Sequence, residues 1–320
     1  MNFIRIGAAA LAVFFAPPAV AQSYPSKPIA LVVPFVAGGG TDIVARLVAV
    51  RLGEMLKTGV VVENRPGASA QIGTKYVVDA APDGATLLVA TTSLINGPAL
   101  FAKLPYDHDK QLRPVVSLAD LPIFLAISTK HGAKTVREFV EMAKQNPNMN
   151  YASAGPGTSL HMSAEWFKAN AGFQATHIPF KGSAQSIVAV GAGQVDFNME
   201  NLGPALPFVQ SGRVRLLAVA AHVRHPLEPE VPTFKEAGLP DVNLSTWIFL
   251  MAPAATPDAV VNLLNRAIND ILKLPDTREK LLQQGFVQTG GTIEEMARRM
   301  KDEAVLWGTV IRNANIRVDQ

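Results

Sequence analysis

Cysteine does not occur in the 320 residues, which rules out disulfide bonds, a thiol nucleophile and thiolate metal sites. Stability must then come from core packing, for which a 48% hydrophobic composition is adequate. Nor does one sign of charge dominate. The 29 Lys and Arg against 26 Asp and Glu leave a formal charge of +3, with the basic residues spread along the chain, so there is no electrostatic footprint for nucleic acid. Beyond the first residues, Lys, Arg, Asp or Pro interrupts every apolar run before it reaches the length of a membrane helix. Three chemical motifs are missing as well. There is no G-x-S-x-G elbow of a serine hydrolase. No Gly-Lys-Ser/Thr completes a phosphate loop, and the third glycine of a dinucleotide fingerprint is not at its offset.

The start of the chain reads as a leader. Arg5 is a positive n-region, Ile6–Phe15 an apolar h-region, and Ala19-Val20-Ala21 an A-x-A cleavage site, so residues 1–21 form a secretory signal peptide cut before Gln22. The mature protein is expected in the periplasm as a soluble chain long enough for two domains.

The rest is organised around Ile29–Arg46, IALVVPFVAGGGTDIVAR. Ile29, Leu31, Val32, Val33 and Phe35 read as a strand buried on both faces. Gly38, Gly39 and Gly40 allow a sharp turn and close approach of a ligand. Thr41 is placed as an N-cap and Asp42 as a first-turn acid, and Val44, Leu47, Val48 and Leu52 give a helix face. A helix N-terminus behind a glycine turn favours an anion, a phosphate or a carboxylate. A plain βα connection with glycines for packing fits the same residues.

Further units follow. Val60–Glu63, Thr86–Ala90, Ile123–Ser128, Asn150–Ala154, Ala175–Pro179, Val195–Met199, Arg215–Ala221 and Thr246–Met251 read as strands, separated by helical patterns. That alternation argues for an α/β fold of doubly wound sheets. Ligands of such sheets sit beyond the carboxyl ends of the strands, where Thr92 and Ser93 would supply hydroxyls. Past a crossing near Pro122 the logic repeats. The turn holding Ser153, Gly155, Gly157 and Thr158 opens one helix, and Lys181, Gly182 and Ser183 open another. Lys181 suits solvent as readily as a ligand. Residues 22–122 and 226–320 are assigned to one domain and 123–225 to the other, with a helical tail packed along the first and a cleft between them.

His161 and Glu165 stand one helical turn apart, a metal-ligand spacing, but no second histidine completes the pattern. No metal and no cofactor are assigned. Hydroxyls and free backbone N–H groups gather without a matched nucleophile and base, which favours binding over chemistry.

Taken together, the motifs Tyr24–Arg46, Val60–Leu88, Tyr151–Phe167 (YASAGPGTSLHMSAEWF) and His177–Phe197 (HIPFKGSAQSIVAVGAGQVDF) closely resemble the substrate-binding proteins of tripartite tricarboxylate transporters, the Bug receptors. The resemblance covers nearly the whole mature chain. It implies a type II periplasmic-binding-protein fold, a Venus flytrap of two α/β domains. It also implies a small organic carboxylate as ligand, a membrane permease as partner, a monomer, and no enzymatic activity. Carried over residue by residue, Phe35 to Thr41 would cradle one carboxylate and Thr92 and Ser93 would assist. Residues Ser153 to Thr158 and Lys181 to Ser183 would close from the second domain, with Glu200 and Asn201 at the cleft edge. Three departures stand out: Gly67-Ala68-Ser69-Ala70 where the family commonly has G-A-G-G, Ala85 where it has Tyr or Phe, and Glu200 where an Asp is usual. A sensor subunit signalling through a membrane partner would share every cleft residue. An exported hydrolase would need a catalytic pair that is not visible.

Overall fold

One strand ties the molecule together. In the computed structural model, which describes residues 24–180, 182–313 and 316, β1 (Ile29–Val33), α1 (Gly40–Leu56), β2 (Val60–Asn64), α2 (Gln71–Val78), β3 (Thr86–Thr91), α3 (Thr92–Leu100) and α4 (His108–Gln111) lead into the 17-residue strand β4 (Leu112–Ser128). Then come α5 (Val136–Gln145), β5 (Asn150–Ser153), α6 (Ser159–Ala171), β6 (Thr176–Pro179), α7 (Ser183–Gly191), β7 (Phe197–Asn201), α8 (Leu202–Gln210) and β8 (Val214–Val219). The chain finishes with β9 (Ser245–Pro253), α9 (Asp258–Lys273), α10 (Pro275–Gln283), β10 (Val287–Gln288) and α11 (Ile293–Asn313). The leader expected over residues 1–21 lies outside the described residues.

The first half of β4 belongs to one sheet and the second half to another. Leu112 to Pro122 pairs antiparallel with β9, and Ile123 onward pairs with β7 and β8. The change of partner falls at Pro122, which has no N–H to give a ladder. The strand order is β2-β1-β3-β9-β4-β7-β5-β6, with β8 and β10 also on β4. Parallel pairs lie at the two ends, and β9 and β7 run antiparallel to β4. Both sheets are therefore mixed.

Alternation along β4 assigns its residues to layers, since successive side chains point to opposite faces. Ile123, Leu125 and Ile127 pack with Phe139 of α5 and Phe167 of α6, whereas Phe124 and Ala126 face Ile187 and Val190 of α7. In the first domain, Leu31 and Val33 of β1 meet Val44 and Val48 of α1 and Ile268 of α9. The opposite face of that sheet, Val32, Leu88 and Phe249, is covered by Leu94, Ile95 and Met296. Each such fully buried side chain contributes about 1.5–3 kcal/mol.

Three sequence expectations are corrected. The strand expected at 123 starts at Leu112, because register shifts after Pro114 and Ser117 absorb the residues that loosened its pattern. The return to the first domain falls at Ser245, not 226, since Phe234, Val242 and Leu244 sit in the second-domain core. The tail does not keep to the first domain: Met296 packs there, while Trp307, Val310 and Ile311 of the same helix enter the second core.

Candidate functional site

The first glycine turn joins β1 to α1. Gly38 has φ +83, a left-handed backbone that suits glycine. Gly40 lies under the Phe286 ring, where a Cβ would come within 3.1 Å of Cζ. The N-cap is Gly39, not Thr41, and no side chain caps the helix directly. Asp42 ties the turn from within. Its Oδ2 accepts the Gly38 N–H at 2.9 Å and Arg46 Nε at 2.8 Å, and its Oδ1 accepts Asn64 Nδ2 at 2.9 Å. The Arg46 hydrogen bond and these other donors outweigh burial and bring its carboxyl down to about 2. Asn64 Nδ2 also reaches the Phe35 carbonyl at 3.1 Å. Gly38 is thereby spoken for, and the remaining N–H groups of the first turn of α1 are those a helix leaves without intrahelical partners. Phe35 is half-buried beside them, Gly39 is exposed, and Thr41 is almost covered.

The second turn joins β5 to α6. Gly155 and Gly157 have φ +126 and +74. Ser153 is fully buried, and its Oγ accepts the Gly155 N–H at 3.1 Å and lies 2.7 Å from His177 Nε2. Thr158 caps α6 by accepting the His161 N–H at 3.3 Å and donates to the Gly155 carbonyl at 2.8 Å. Both hydroxyls thus hold the turn together. The expected turn at the start of α7 is partly described: Gly182 is its N-cap with φ +126, and Lys181 lies outside the described residues.

Three expected cleft groups are used inside the protein. Glu200 is not at the cleft edge but wholly buried, where it accepts hydrogen bonds from Ser183 Oγ, Ser186 Oγ at 3.1 Å, Asn198 Nδ2 at 2.9 Å and the Asn201 N–H at 2.9 Å. Burial prevails over these donors and pushes its carboxyl up to about 7. Asn201 donates to the Leu121 carbonyl at 3.1 Å, at the crossing of β4. Thr92, 1% exposed, accepts the Trp247 N–H at 3.1 Å and donates to the Ser245 carbonyl. Ser93, half-buried, shares a 2.8 Å hydrogen bond with Thr91 Oγ1.

The start of β9 is the meeting point of both domains. Ser159 Oγ lies 2.8 Å from Thr246 Oγ1, which donates in turn to Asn201 Oδ1 at 3.4 Å. Thr246 escaped the sequence reading, since a threonine opening a strand carries no distinguishing signal. Asn64 escaped it too, because its partner Asp42 is distant in sequence.

His161 and Glu165 do not converge on a common point. His161 Nδ1 accepts the Gly157 N–H at 3.1 Å, and its ring stacks on His177 with centroids 4.0 Å apart. Glu165 takes the Tyr151 hydroxyl and Lys168 Nζ. Among the described residues no group of three or more His, Asp or Glu is placed to hold a metal.

Two α/β domains strung on a shared strand, each with a glycine turn opening a helix beyond its sheet, define a bilobed solute-binding protein of the periplasmic type. The chain belongs to the tripartite tricarboxylate transporter family of receptors, whose family model matches residues 44–316. It is 33% identical to the protein BugT of Bordetella pertussis, over 99% of this chain and all of that one. Among solved structures, an R. palustris protein with adipate has a TM-score of 0.83 at 31% identity, covering 92% of this chain and 100% of the other. MatC of Rhodopseudomonas palustris with bound malate has a TM-score of 0.78 at 32% identity, covering 90% and 100%.

Proposed function

We propose that the protein is a periplasmic receptor that captures a small organic carboxylate in the cleft between its domains and delivers it to a tripartite tricarboxylate-type permease, with no catalysis of its own. The observation that carries this reading is the pair of glycine turns, each opening a helix at the carboxyl end of a parallel strand, one in each domain. Exposed N–H groups at a helix start bind an anion without a salt bridge. The ligand-facing set we assign is Phe35, Gly39, Gly40 and Thr41 from the first turn with Ser93 beside them, and Ser159 and Gly182 from the helix starts of the second domain, where the Gly155 and Gly157 N–H groups are held by Ser153 and His161 and so shape the turn. The relatives solved with adipate and malate support aliphatic dicarboxylates as the first class to try, and Phe35 and Phe180 would also accept an aromatic acid.

The test is a thermal-shift screen of the mature chain against aliphatic di- and tricarboxylates, aromatic acids, acidic amino acids and phosphate. A ligand at a hundredfold excess over its Kd stabilises the folded state by about 2.7 kcal/mol. A shift confined to one acid class would support the reading. Flat melting with all of them, from protein shown by mass spectrometry to carry no co-purified acid, would count against it.

A further inference from the structure

Behind the second turn lies a stack of rings that ligand binding does not itself require. Tyr151 of β5 stacks on His177 of β6 at 4.9 Å, and His177 stacks on His161 of α6 at 4.0 Å and 10°. Phe197 of β7 backs Tyr151 and brings no charge. The charged groups around the stack are Glu165 and Lys168, which pair with each other at 2.7 Å, and Lys168 Nζ lies 5.0 Å from the centre of the Tyr151 ring.

The hydrogen bond from Gly157 fixes the chemistry of His161. An N–H donates to Nδ1, so Nδ1 must carry a lone pair and the neutral ring holds its proton on Nε2. A protonated His161 would set N–H against N–H at Gly157 and bring a cation face to face with His177. Burial, followed by His177 and then Lys168, pushes the His161 imidazole down to about 3. Burial lowers His177 as well, against the opposing pull of Glu165 and with Lys168 adding to it.

Resting on the reading of residues 153–158 as one lip of the carboxylate cleft, we propose that His161 is a positioning residue for that lip: as a neutral, stacked acceptor it holds the Gly157 N–H and fixes the turn in its ligand-receiving form. The ring does not touch the ligand. Lys168 is the second and lesser part of the device: burial keeps the imidazole pair neutral, and the ammonium beside the Tyr151 ring, paired to Glu165, adds to that and offsets the carboxylate.

The decisive readout is the Gly157 amide resonance of the ¹⁵N-labelled full chain, followed without ligand from about pH 8 to about pH 4. The parent should be flat over most of that range. K168M leaves Glu165 uncompensated beside the rings and should bring a titration of Gly157 into the range, at least about one pH unit above the parent's. H161N, whose Oδ1 can accept the same N–H but cannot titrate, should abolish that titration in the K168M background. H161A should displace the resonance at every pH in an otherwise dispersed spectrum. An unchanged Gly157 in folded H161A, or an identical titration in the K168M/H161N pair, would overturn the proposal; the pair decides the matter if H161A does not fold. Adipate titrations separate this proposal from the receptor reading. Adipate affinity should fall at least about tenfold in H161A and stay within about threefold in H161N. If adipate binds the parent and H161A equally, the positioning role is overturned. If Gly157 behaves as stated and no acid of the screen binds the parent, the receptor reading fails and the role of His161 in shaping the turn stands.

Discussion

The guanidinium of Arg299, a third of the way along α11, grips the carboxylate of Asp120 with two hydrogen bonds of 2.8 and 3.1 Å, two residues before β4 changes sheets. The same guanidinium reaches Ser245 Oγ at 3.1 Å and Glu303 at 2.9 Å, and it lies 4.1 Å from the centre of the Trp247 ring. One cation therefore fastens the helix shared by both domains to the strand that crosses between them and to the start of β9, where the chain re-enters the first domain.

R299M should be costly, because it leaves Asp120 and Glu303 buried without their counter-charge. The expected loss is about 3–5 kcal/mol, read by urea denaturation of the ligand-free chain. A loss below about 1 kcal/mol would mean the pair is no more than surface decoration.

Glu200 makes stability depend on pH. Its folded carboxyl is raised to about 7 by burial, so its contribution is fully present below its unfolded pKa and is lost as pH rises through about 7. On that account the chain should be about 2.5 kcal/mol less stable at pH 8 than at pH 5 from this group alone. E200Q should remove that part of the slope. Gln can be accommodated because Asn198 Oδ1 is buried without a partner, and turning that amide over would let it accept from the new Nε2. An unchanged slope in E200Q, measured by denaturation at several pH values, would refute the assignment.

The first turn separates conformation from binding. Gly38 has φ +83, whereas Gly39 has an ordinary φ of −78 and a Cβ there would meet only the Val36 carbonyl oxygen, at an ordinary contact distance of 3.7 Å. G38V should therefore cost folding stability, about 1–2 kcal/mol from the left-handed backbone. G39V should leave the melting temperature nearly unchanged and weaken carboxylate binding. If both variants lose stability equally, the cradle assignment of Gly39 has no support.

Ala68, Ser69 and Ala70 adopt φ of +45, +53 and +76 in succession, where the resemblance led us to expect glycines at two of the three. Each non-glycine residue held there costs of order 1 kcal/mol. S69G should raise stability by up to about that amount in thermal melts. No gain would show that the segment relaxes its backbone elsewhere.

The sequence showed clearly those features set by local chemistry. The strand and glycine turn of 29–46 and the turn at 153–158 that opens a helix depend on near neighbours, and they stand close to where the spacing put them. The helix over 92–100 was not foreseen, since it contains Gly97 and Pro98 and its stability comes from Leu94 and Ile95 packing beneath Phe249. Site roles were harder still. Thr92, Ser153 and Glu200 carry the residue types of ligand contacts, yet each is committed to an internal partner in the structure. A hydroxyl or carboxylate in a sequence does not reveal which way it points, because that is settled by partners such as Trp247, His177 and Ser186 that the chain brings back from far away.

The span of α11 across both cores also bears on how the polypeptide comes into being. A chain made and exported N-terminus first presents nearly every strand of the second domain long before Trp307, Val310 and Ile311 emerge to complete that core. The second lobe must then wait for the last stretch of the chain, and until it arrives the unfinished core is the surface that chaperones or proteases meet.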